Sequence, residues 1–495
     1  MNKILSYLNI LSFFGVVYLI IRFVYSSFFL NSYELLFMDE RLIINDIYNV
    51  WNLDDEFSRF SNIKDKLLKS SLIVLTEISY GGDLRYGRIW SNIFIVLLGP
   101  FTFFNDQVVI TTSRIITIFT YFISINLLIN ELLNKRYRWI YCLIFYSIPG
   151  VFYFNTLPKP DSFVILFIAI AIIFFRKNEN KKAIFFLGLA TGTKVVGIFA
   201  LLFSFIYLYK KNKNNFRIDN LLRLFSYSFL GFIVANPILI IPPINIGSLP
   251  NFYSIYYNWI NSQSLVAQSE RFSSDYFITW GETMSSYFTY GLITNISLTI
   301  VFIIFTLYLV LTFIKNKEYI PFFVTSTGLS HLLFIFSSVE RQWKVYLNYS
   351  YIFIFLGFIY FISSRLDNSK KILFLFYLLI VPLGFMRILI EFNDTSSPPL
   401  EDLSQIPIVV ETIEELYTLK GGEYNLVLWD PSNGMPRNGV TYNSFFNVRE
   451  KWEGSTLENI LNKSDFYVSK EFMLTKDFEY YLVGDFYIYS KKSNP

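Results

Sequence analysis

The stretch SLTIVFIIFTLYLVLTFI, from Ser297 to Ile314, contains no charged residue and decides the fold class. About 18 or more consecutive apolar residues can cross the hydrocarbon core of a bilayer as a helix. This stretch therefore predicts a membrane span by itself. A second run, SFVILFIAIAIIFF from Ser162 to Phe175, is shorter and reaches that length only together with its flanks.

The composition of the chain agrees with a membrane protein. Of its 495 residues, 53% are hydrophobic and 16% are charged, whereas soluble domains average about 25% charged residues. This composition excludes a single soluble domain, a disordered chain, a collagen and a disulfide scaffold. With one cysteine, Cys142, and one histidine, His331, the chain has neither an internal disulfide nor a His/Cys zinc cluster. Both residues are predicted to pack within spans.

Basic clusters between the apolar runs predict the orientation of the spans, because short loops rich in Lys and Arg stay cytoplasmic. The clusters are Lys135, Arg136 and Arg138; Arg176, Lys177, Lys181 and Lys182; Lys210, Lys211, Lys213 and Arg217; Lys315 and Lys317; Arg365, Lys370 and Lys371. By contrast, residues 31–88, 244–284 and 392–495 contain 10, 3 and 16 acidic residues against 7, 1 and 9 basic ones. These three regions are predicted to lie outside.

Spans are predicted between these loops. They cover about 5–30, 108–133, 139–156, 160–176, 221–243, 286–314, 319–338, 345–363 and 371–391. No clear small-residue cleavage site follows the first run, so it is predicted to remain as a span rather than to be a cleaved signal peptide. Residues 89–104 are short and contain Gly99-Pro100, which favours a helix lying at the outer interface.

Residues 182–209 lie between two strongly basic loops, so both ends of this segment are predicted to be cytoplasmic. The sequence Gly188-Leu-Ala-Thr-Gly-Thr-Lys194 interrupts it. Two short helices with a turn near Gly192 would form a re-entrant hairpin, which is tolerated where protein or a water-filled cavity surrounds the turn. The alternative is an ordinary span with one loop assigned to the wrong side.

The predicted fold class is an all-α polytopic membrane protein with a small C-terminal α/β extracytoplasmic domain. The membrane domain covers 1–391 and includes outer loops 31–107 and 244–284. From residue 392 to 495, turn signals separate a helix-like stretch at 409–419 from strand-like runs at 424–429 and 480–490.

Charged side chains at the predicted outer boundary are the candidates for chemistry. A carboxylate there can act as a general base, Arg suits an anion, and a charge inside an apolar helix is costly enough to indicate function. The candidates are Asp39, Glu40, Arg85, Arg88, Arg114, Asp161, Lys194, Glu340, Arg341 and Lys344. Helix capping, interface anchoring or snorkelling are the structural alternatives for most of them.

The order of these features resembles the membrane-embedded GT-C glycosyltransferases, in the branch of protein O-mannosyltransferases and aminoarabinose transferases. The resemblance covers residues 30 to 200. It consists of Asp39-Glu40 after the first span, Arg85-Tyr86-Gly87-Arg88-Ile89-Trp90 without the family's prolines, Ser113-Arg114-Ile115-Ile116, Asp161 at a helix start, and Gly188-Leu-Ala-Thr-Gly-Thr-Lys194-Val-Val-Gly197.

The resemblance implies a GT-C-like bundle that transfers a sugar from a polyprenyl-phosphate carrier, with inversion, to a glycan, lipid or protein acceptor. Asp39 would be the general base and Glu40 its support. Arg85, Arg88 and Arg114 would neutralise the leaving phosphate, and Asp161 would border the acceptor or sugar site. Lys194 and Lys344 are weaker candidates, and Lys194 could lie too far toward the cytoplasm.

The resemblance also indicates which cofactors and binding partners to expect. Beyond the lipid-linked donor we expect no cofactor, no obligatory metal and no nucleic acid, and the partners are membrane lipid and the acceptor. We expect a multi-pass protein of the inner, cytoplasmic membrane whose active site faces the periplasm or exterior. Two alternatives stay open, namely a flippase or transporter of lipid-linked sugars and a surface-glycan polymerase or ligase.

Overall fold

A computed structural model describes fifteen parts of the chain. They are residues 2–29, 47, 88–103, 106–147, 158–211, 218–236, 278, 281–285, 295–338, 347–365, 369–396, 427–429, 466–469, 478–483 and 486–491. The chain divides between Phe392 and Asn393 into two compact units. Each unit is described by itself below.

Twelve α-helices make up most of the described residues. They are α1 (Asn2–Phe29), α2 (Arg88–Leu98), α3 (Asp106–Leu132), α4 (Arg138–Tyr146), α5 (Pro160–Arg176), α6 (Asn180–Thr193), α7 (Gly197–Lys211), α8 (Ile218–Ala235), α9 (Ile296–Lys315), α10 (Tyr319–Ser338), α11 (Leu347–Arg365) and α12 (Ser369–Ser396). Short 3₁₀ helices at Gly99–Phe103 and Lys135–Tyr137 extend α2 and lead into α4.

Five described segments are long and apolar enough to cross a membrane. They are Asn2–Tyr25, Val108–Leu132, Ile296–Lys315, Tyr319–Phe336 and Leu347–Arg365. The prediction of a helical membrane protein is confirmed at this level. The predicted span at 286–314 starts too early, since α9 begins at Ile296. The Asn295 side chain accepts a hydrogen bond from the Ser297 backbone N–H at 2.8 Å and so caps the helix there.

Several of the basic clusters meet at one end of the helical bundle. The Arg176 guanidinium donates to the backbone carbonyl of Glu131, which links the ends of α5 and α3. Lys211 at the end of α7 donates to the Asn178 side chain at 2.8 Å. At the same end, Arg365 lies 2.7 Å from Glu318, just before α10. Ring contacts of Tyr207 with Phe175 and Tyr319, at 4.8 and 6.5 Å, join these groups.

Helices α6 and α7 form the hairpin that the interrupted sequence predicts. The Lys211 to Asn178 hydrogen bond holds the end of α7 beside the start of α6, and a turn at residues 194–196 joins the two helices at the other end. The break lies a few residues later than predicted. Gly188 and Gly192 belong to α6 itself, and their role is in packing rather than in the turn.

The glycines of α6 lie against α8 at backbone contact distance. A Cβ on Gly188 would meet the carbonyl oxygen of Ser228, and a Cβ on Gly231 would meet the carbonyl oxygen of Phe185. A Cβ on Gly192 would lie 2.6 Å from that of Ala235. Small residues spaced four apart let helices in membranes approach this closely. This contact fixes α6, and with it the position of the hairpin turn.

Gly231→Ala is expected to destabilise the protein by about 1–3 kcal/mol, because the added methyl group overpacks a contact with backbone. The effect would oppose the better intrinsic helix propensity of alanine. Thermal unfolding of the detergent-solubilised protein measures it. Gly15→Ala is the matched control, since its Cβ would meet only the flexible end of Leu143 at 3.0 Å. Equal stability of the two variants would contradict the packing role of Gly231.

The C-terminal unit contains a four-stranded sheet among its described residues. Its strands are β1 (Val427–Trp429), β2 (Phe466–Ser469), β3 (Phe478–Val483) and β4 (Phe486–Lys491), in the order β1-β2-β4-β3. β1 pairs with β2 in parallel, and the other pairs are antiparallel. Phe466, Val468 and Ile488 are buried. The helix-like stretch at 409–419 lies outside the described residues.

Candidate functional site

A buried ion pair joins two of the residues singled out from the sequence. The Lys194 ammonium nitrogen lies 2.9 Å from each carboxylate oxygen of Asp161. The two side chains are 14% and 7% exposed. Bringing charges out of water is costly unless they are paired with good geometry, so this contact determines how the hairpin is seated against α5.

The ends of three helices hold the pair in place. Asp161 lies in the first turn of α5, where the helix dipole favours a negative charge, and Lys194 follows the last residue of α6, where it favours a positive one. The Lys194 backbone N–H donates to the Ala190 carbonyl at 3.1 Å. Asn236, at the end of α8, donates through its side chain to the Gly192 carbonyl at 3.2 Å. The free carbonyls at the end of α6 are thus partly satisfied.

Side chains from α7, α10 and α11 line the same region. The Nδ1 atom of His331 lies 2.7 Å from the Ser350 hydroxyl oxygen. The His331 ring packs edge-on against Tyr349 and Phe199, with centroid distances of 4.8 and 5.7 Å. Phe199 is the third residue of α7, so its contact with His331 places the histidine ring close to the hairpin turn that contains Lys194. These buried polar side chains and the ion pair are together called the polar cluster below.

This polar cluster lies far from the basic end of the bundle. Asp161 and Arg176 are separated by 15 residues of α5, which corresponds to about 22 Å at 1.5 Å per residue. We expected that Lys194 could lie too far toward the cytoplasm; in the structure the hairpin carries Lys194 to the level of Asp161, away from the basic end of the bundle. The arrangement brings one anion and one cation together inside an apolar bundle.

Arg114 lies on α3 and is 1% exposed. Further along the same helix, the Ser124 hydroxyl oxygen lies 3.5 Å from the Ser162 carbonyl, beside Asp161. Arg114 is thus buried within the bundle.

Most of the remaining predicted site residues lie outside the described part of the chain. They are Asp39, Glu40, Arg85, Glu340, Arg341 and Lys344. Arg88 is the first residue of α2, and its side chain also lies outside the described residues. Their roles stay predictions.

His331, Tyr349 and Ser350 are the part of the polar cluster that the sequence did not reveal as a site. His331 packs within α10, as predicted, and its ring also contacts Tyr349 of α11. A polar residue inside a membrane helix often indicates function. His331 and Ser350 are both such residues. Cys142 is buried, with its sulfur 3.4 Å from the Asn126 side-chain oxygen.

The described residues contain no group of three or more His, Cys, Asp or Glu side chains placed to hold a metal ion. Comparison with protein-family models, with curated proteins and with solved structures found no match to this chain. The polar cluster and the sequence motifs are therefore the basis for the function proposed below.

Proposed function

We propose that the chain is a membrane glycosyltransferase that moves a sugar from a polyprenyl-phosphate carrier to an acceptor on the outer face. The observation that carries this proposal is the ion pair between Asp161 and Lys194. These residues are 33 positions apart, and both belong to the motifs through which the sequence resembles GT-C enzymes. Their meeting in one buried site is what a shared role in substrate binding would require.

The reaction requires one base and a cationic site for the leaving group. A hydroxyl or amine of the acceptor loses its proton to the Asp39 carboxylate and attacks the anomeric carbon. The bond between that carbon and the phosphate oxygen breaks on the opposite face, and the phosphate leaves with the electron pair. Attack opposite to the leaving group inverts the anomeric centre. No cofactor enters this scheme.

Basic side chains would stabilise the charge that develops on the phosphate. Donors that are already oriented in a site with a low dielectric constant are an effective means of lowering such a barrier. Arg85, Arg88 and Arg114 are proposed for this role from the resemblance. Lys194 is a further candidate, since it lies at the tip of the hairpin, about 22 Å from the basic end. Under the positive-inside rule the tip points toward the outer face.

One observation favours a second candidate, a flippase or transporter for lipid-linked sugars. Transporters place their binding sites at broken helices near the middle of the membrane, and α6 and α7 are separated by a break at the ion pair. The glycan polymerase or ligase is less well supported. Such enzymes usually rely on Arg and His in large outer loops, whereas the single His331 is buried in α10.

Reconstitution into proteoliposomes separates these functions. The purified chain is incubated with radiolabelled polyprenyl-phosphate sugars and with extracts that supply lipid, glycan or protein acceptors. Transfer of label to an acceptor is the expected result. Movement of the labelled lipid between leaflets without transfer from any donor would overturn the glycosyltransferase proposal in favour of the flippase. Transfer only from diphosphate-linked donors would indicate the polymerase or ligase.

A further inference from the structure

Two exposed basic side chains lie where α6 and α8 begin. Lys181 is the second residue of α6, and Arg223 lies in the second turn of α8. The Lys181 ammonium nitrogen lies 5.6 Å from the centre of the Tyr227 ring on α8. Arg223 precedes Tyr227 by four residues, so the two side chains are neighbours on the same face of that helix. Tyr227 therefore has one cation from each helix beside it.

Both helices begin at the basic end of the bundle and run in the same direction. The end of α7 is hydrogen-bonded beside the start of α6 at this end. Gly188 lies against Ser228, and further along both helices the Asn236 side chain donates to the Gly192 carbonyl. The positive-inside rule assigns the basic end to the cytoplasm. The two cations therefore border the leaflet of the membrane that faces the cytoplasm.

The charges of these two side chains are not neutralised by the described residues around them. Within the described part of the chain, no carboxylate forms an ion pair with Lys181 or Arg223. Glu179 lies close to Lys181 in sequence, but it pairs with Lys182. Asp219 is in the first turn of α8, where the helix dipole stabilises its charge. Lysine and arginine are the side chains that bind phosphate groups best.

A stripe of exposed apolar residues continues along α8 from Tyr227. Leu230 and Val234 follow at intervals of three and four residues, which keeps them on one face of the helix. They are 48% and 45% exposed. From Arg223 to Val234 the stripe extends about 16 Å, roughly half of the 30 Å hydrocarbon layer. Cations at one end and apolar side chains through the depth of one leaflet match the shape of a phospholipid.

We propose that Lys181 and Arg223 bind the phosphate of one anionic phospholipid, and that an acyl chain of this lipid lies along Leu230 and Val234. The cytoplasmic leaflet contains anionic lipids, and basic residues between membrane helices bind their headgroups. A zwitterionic lipid suits the site less well, because its own ammonium group is repelled by the two cations. By bridging α6 and α8, the lipid stabilises the contact that seats the hairpin. This inference does not depend on sugar transfer, since the site lies at the start of α6, whereas Lys194 follows its end.

Native mass spectrometry of the full-length chain in detergent tests the proposal, with dioleoyl phosphatidylglycerol and dioleoyl phosphatidylcholine as the probes. The wild type should bind phosphatidylglycerol about twentyfold more tightly. Lys181→Gln and Arg223→Gln should each weaken this binding by about fivefold, the usual contribution of one basic residue beside anionic lipid. The double variant should lose most of the preference for phosphatidylglycerol. Both side chains are exposed, so without added lipid the variants should melt like the wild type.

Lys182→Gln is the matched control, since it removes a positive charge from the neighbouring residue. The Lys182 ammonium lies over the Phe174 ring of α5 and pairs with Glu179, so phosphatidylglycerol binding should stay within about twofold of the wild type. Inorganic phosphate should not compete, because it lacks the acyl chain.

Three results would overturn the inference. The first is equal binding of the two lipids by the wild type. The second is unchanged phosphatidylglycerol binding in Arg223→Gln, or a loss in Lys182→Gln as large as that in Lys181→Gln, which would indicate an effect of net charge alone. The third is full competition by inorganic phosphate, which would indicate a site for the free anion.

Discussion

Asp39→Asn is expected to lower the rate of sugar transfer by at least about a hundredfold, which is the usual contribution of a positioned general base. Asparagine keeps the size and the hydrogen-bonding oxygen of the side chain but cannot accept the proton of the acceptor. Binding of the donor should change little, because the basic side chains proposed to hold its phosphate remain. Initial rates in proteoliposomes, with saturating polyprenyl-phosphate sugar, measure the effect.

Asp46→Asn provides the control, since it changes another carboxylate in the same acidic region of the sequence. We expect transfer by this variant to stay within about threefold of the wild type, because the carboxylate proposed as the base is retained. The transfer rate of Glu40→Gln should lie between those of the two variants, because Glu40 is proposed to orient the base. Undiminished transfer by Asp39→Asn would exclude this carboxylate as the base.

Lys194→Met is expected to destabilise the protein by about 3–5 kcal/mol, the cost of removing one partner of a buried ion pair. Methionine fills much of the space of the lysine stem but leaves the Asp161 carboxylate, 7% exposed, without its cation. Thermal unfolding of the solubilised protein, followed by size-exclusion chromatography, should show a clear loss of stability. Adding Asp161→Asn should restore part of it, because no unpaired charge then remains buried.

A surface ion pair near the start of the same hairpin serves as the control. Lys182 lies 2.5 Å from Glu179, but the two side chains are 63% and 38% exposed. Exposed pairs contribute about 0–1 kcal/mol, so Lys182→Met should unfold close to the wild-type temperature. If Lys194→Met were as stable as Lys182→Met, the pair with Asp161 would contribute nothing to the seating of the hairpin.

Much of the helical architecture can be predicted from local sequence. The length of each apolar run and the basic residues beside it determine the helix formed by that segment alone. The charge-free run at Ser297–Ile314 lies within α9, and basic clusters around Arg176, Lys211 and Arg365 meet at one end of the bundle. The sequence also predicts the break between α6 and α7, although the break lies a few residues later than predicted. The glycines near the predicted break instead pack against α8. That contact could not be predicted from either segment alone, because it requires both helices.

The sequence marks Asp161 and Lys194 as two separate candidates and does not directly predict that they pair. A symmetry in their spacing explains why they meet. Asp161 precedes Asn178 by 17 residues, and Lys194 follows it by 16. Asn178 has a φ of 59° and lies in the turn where α5 gives way to α6, so residues equally far from it meet when the two helices pack antiparallel. Tyr349 and His331 join the cluster through tertiary packing, for which the sequence contains no comparable rule.

The short lengths of α6 and α7 have a consequence for how the chain enters the membrane. With 14 and 15 residues, they extend about 21 and 22 Å, whereas the hydrocarbon layer is about 30 Å thick. Insertion machinery that recognises complete spans has no complete span to recognise here, so the hairpin must enter against neighbouring helices. α5 is synthesised before α6, so the carboxylate that pairs with Lys194 leaves the ribosome before the lysine does.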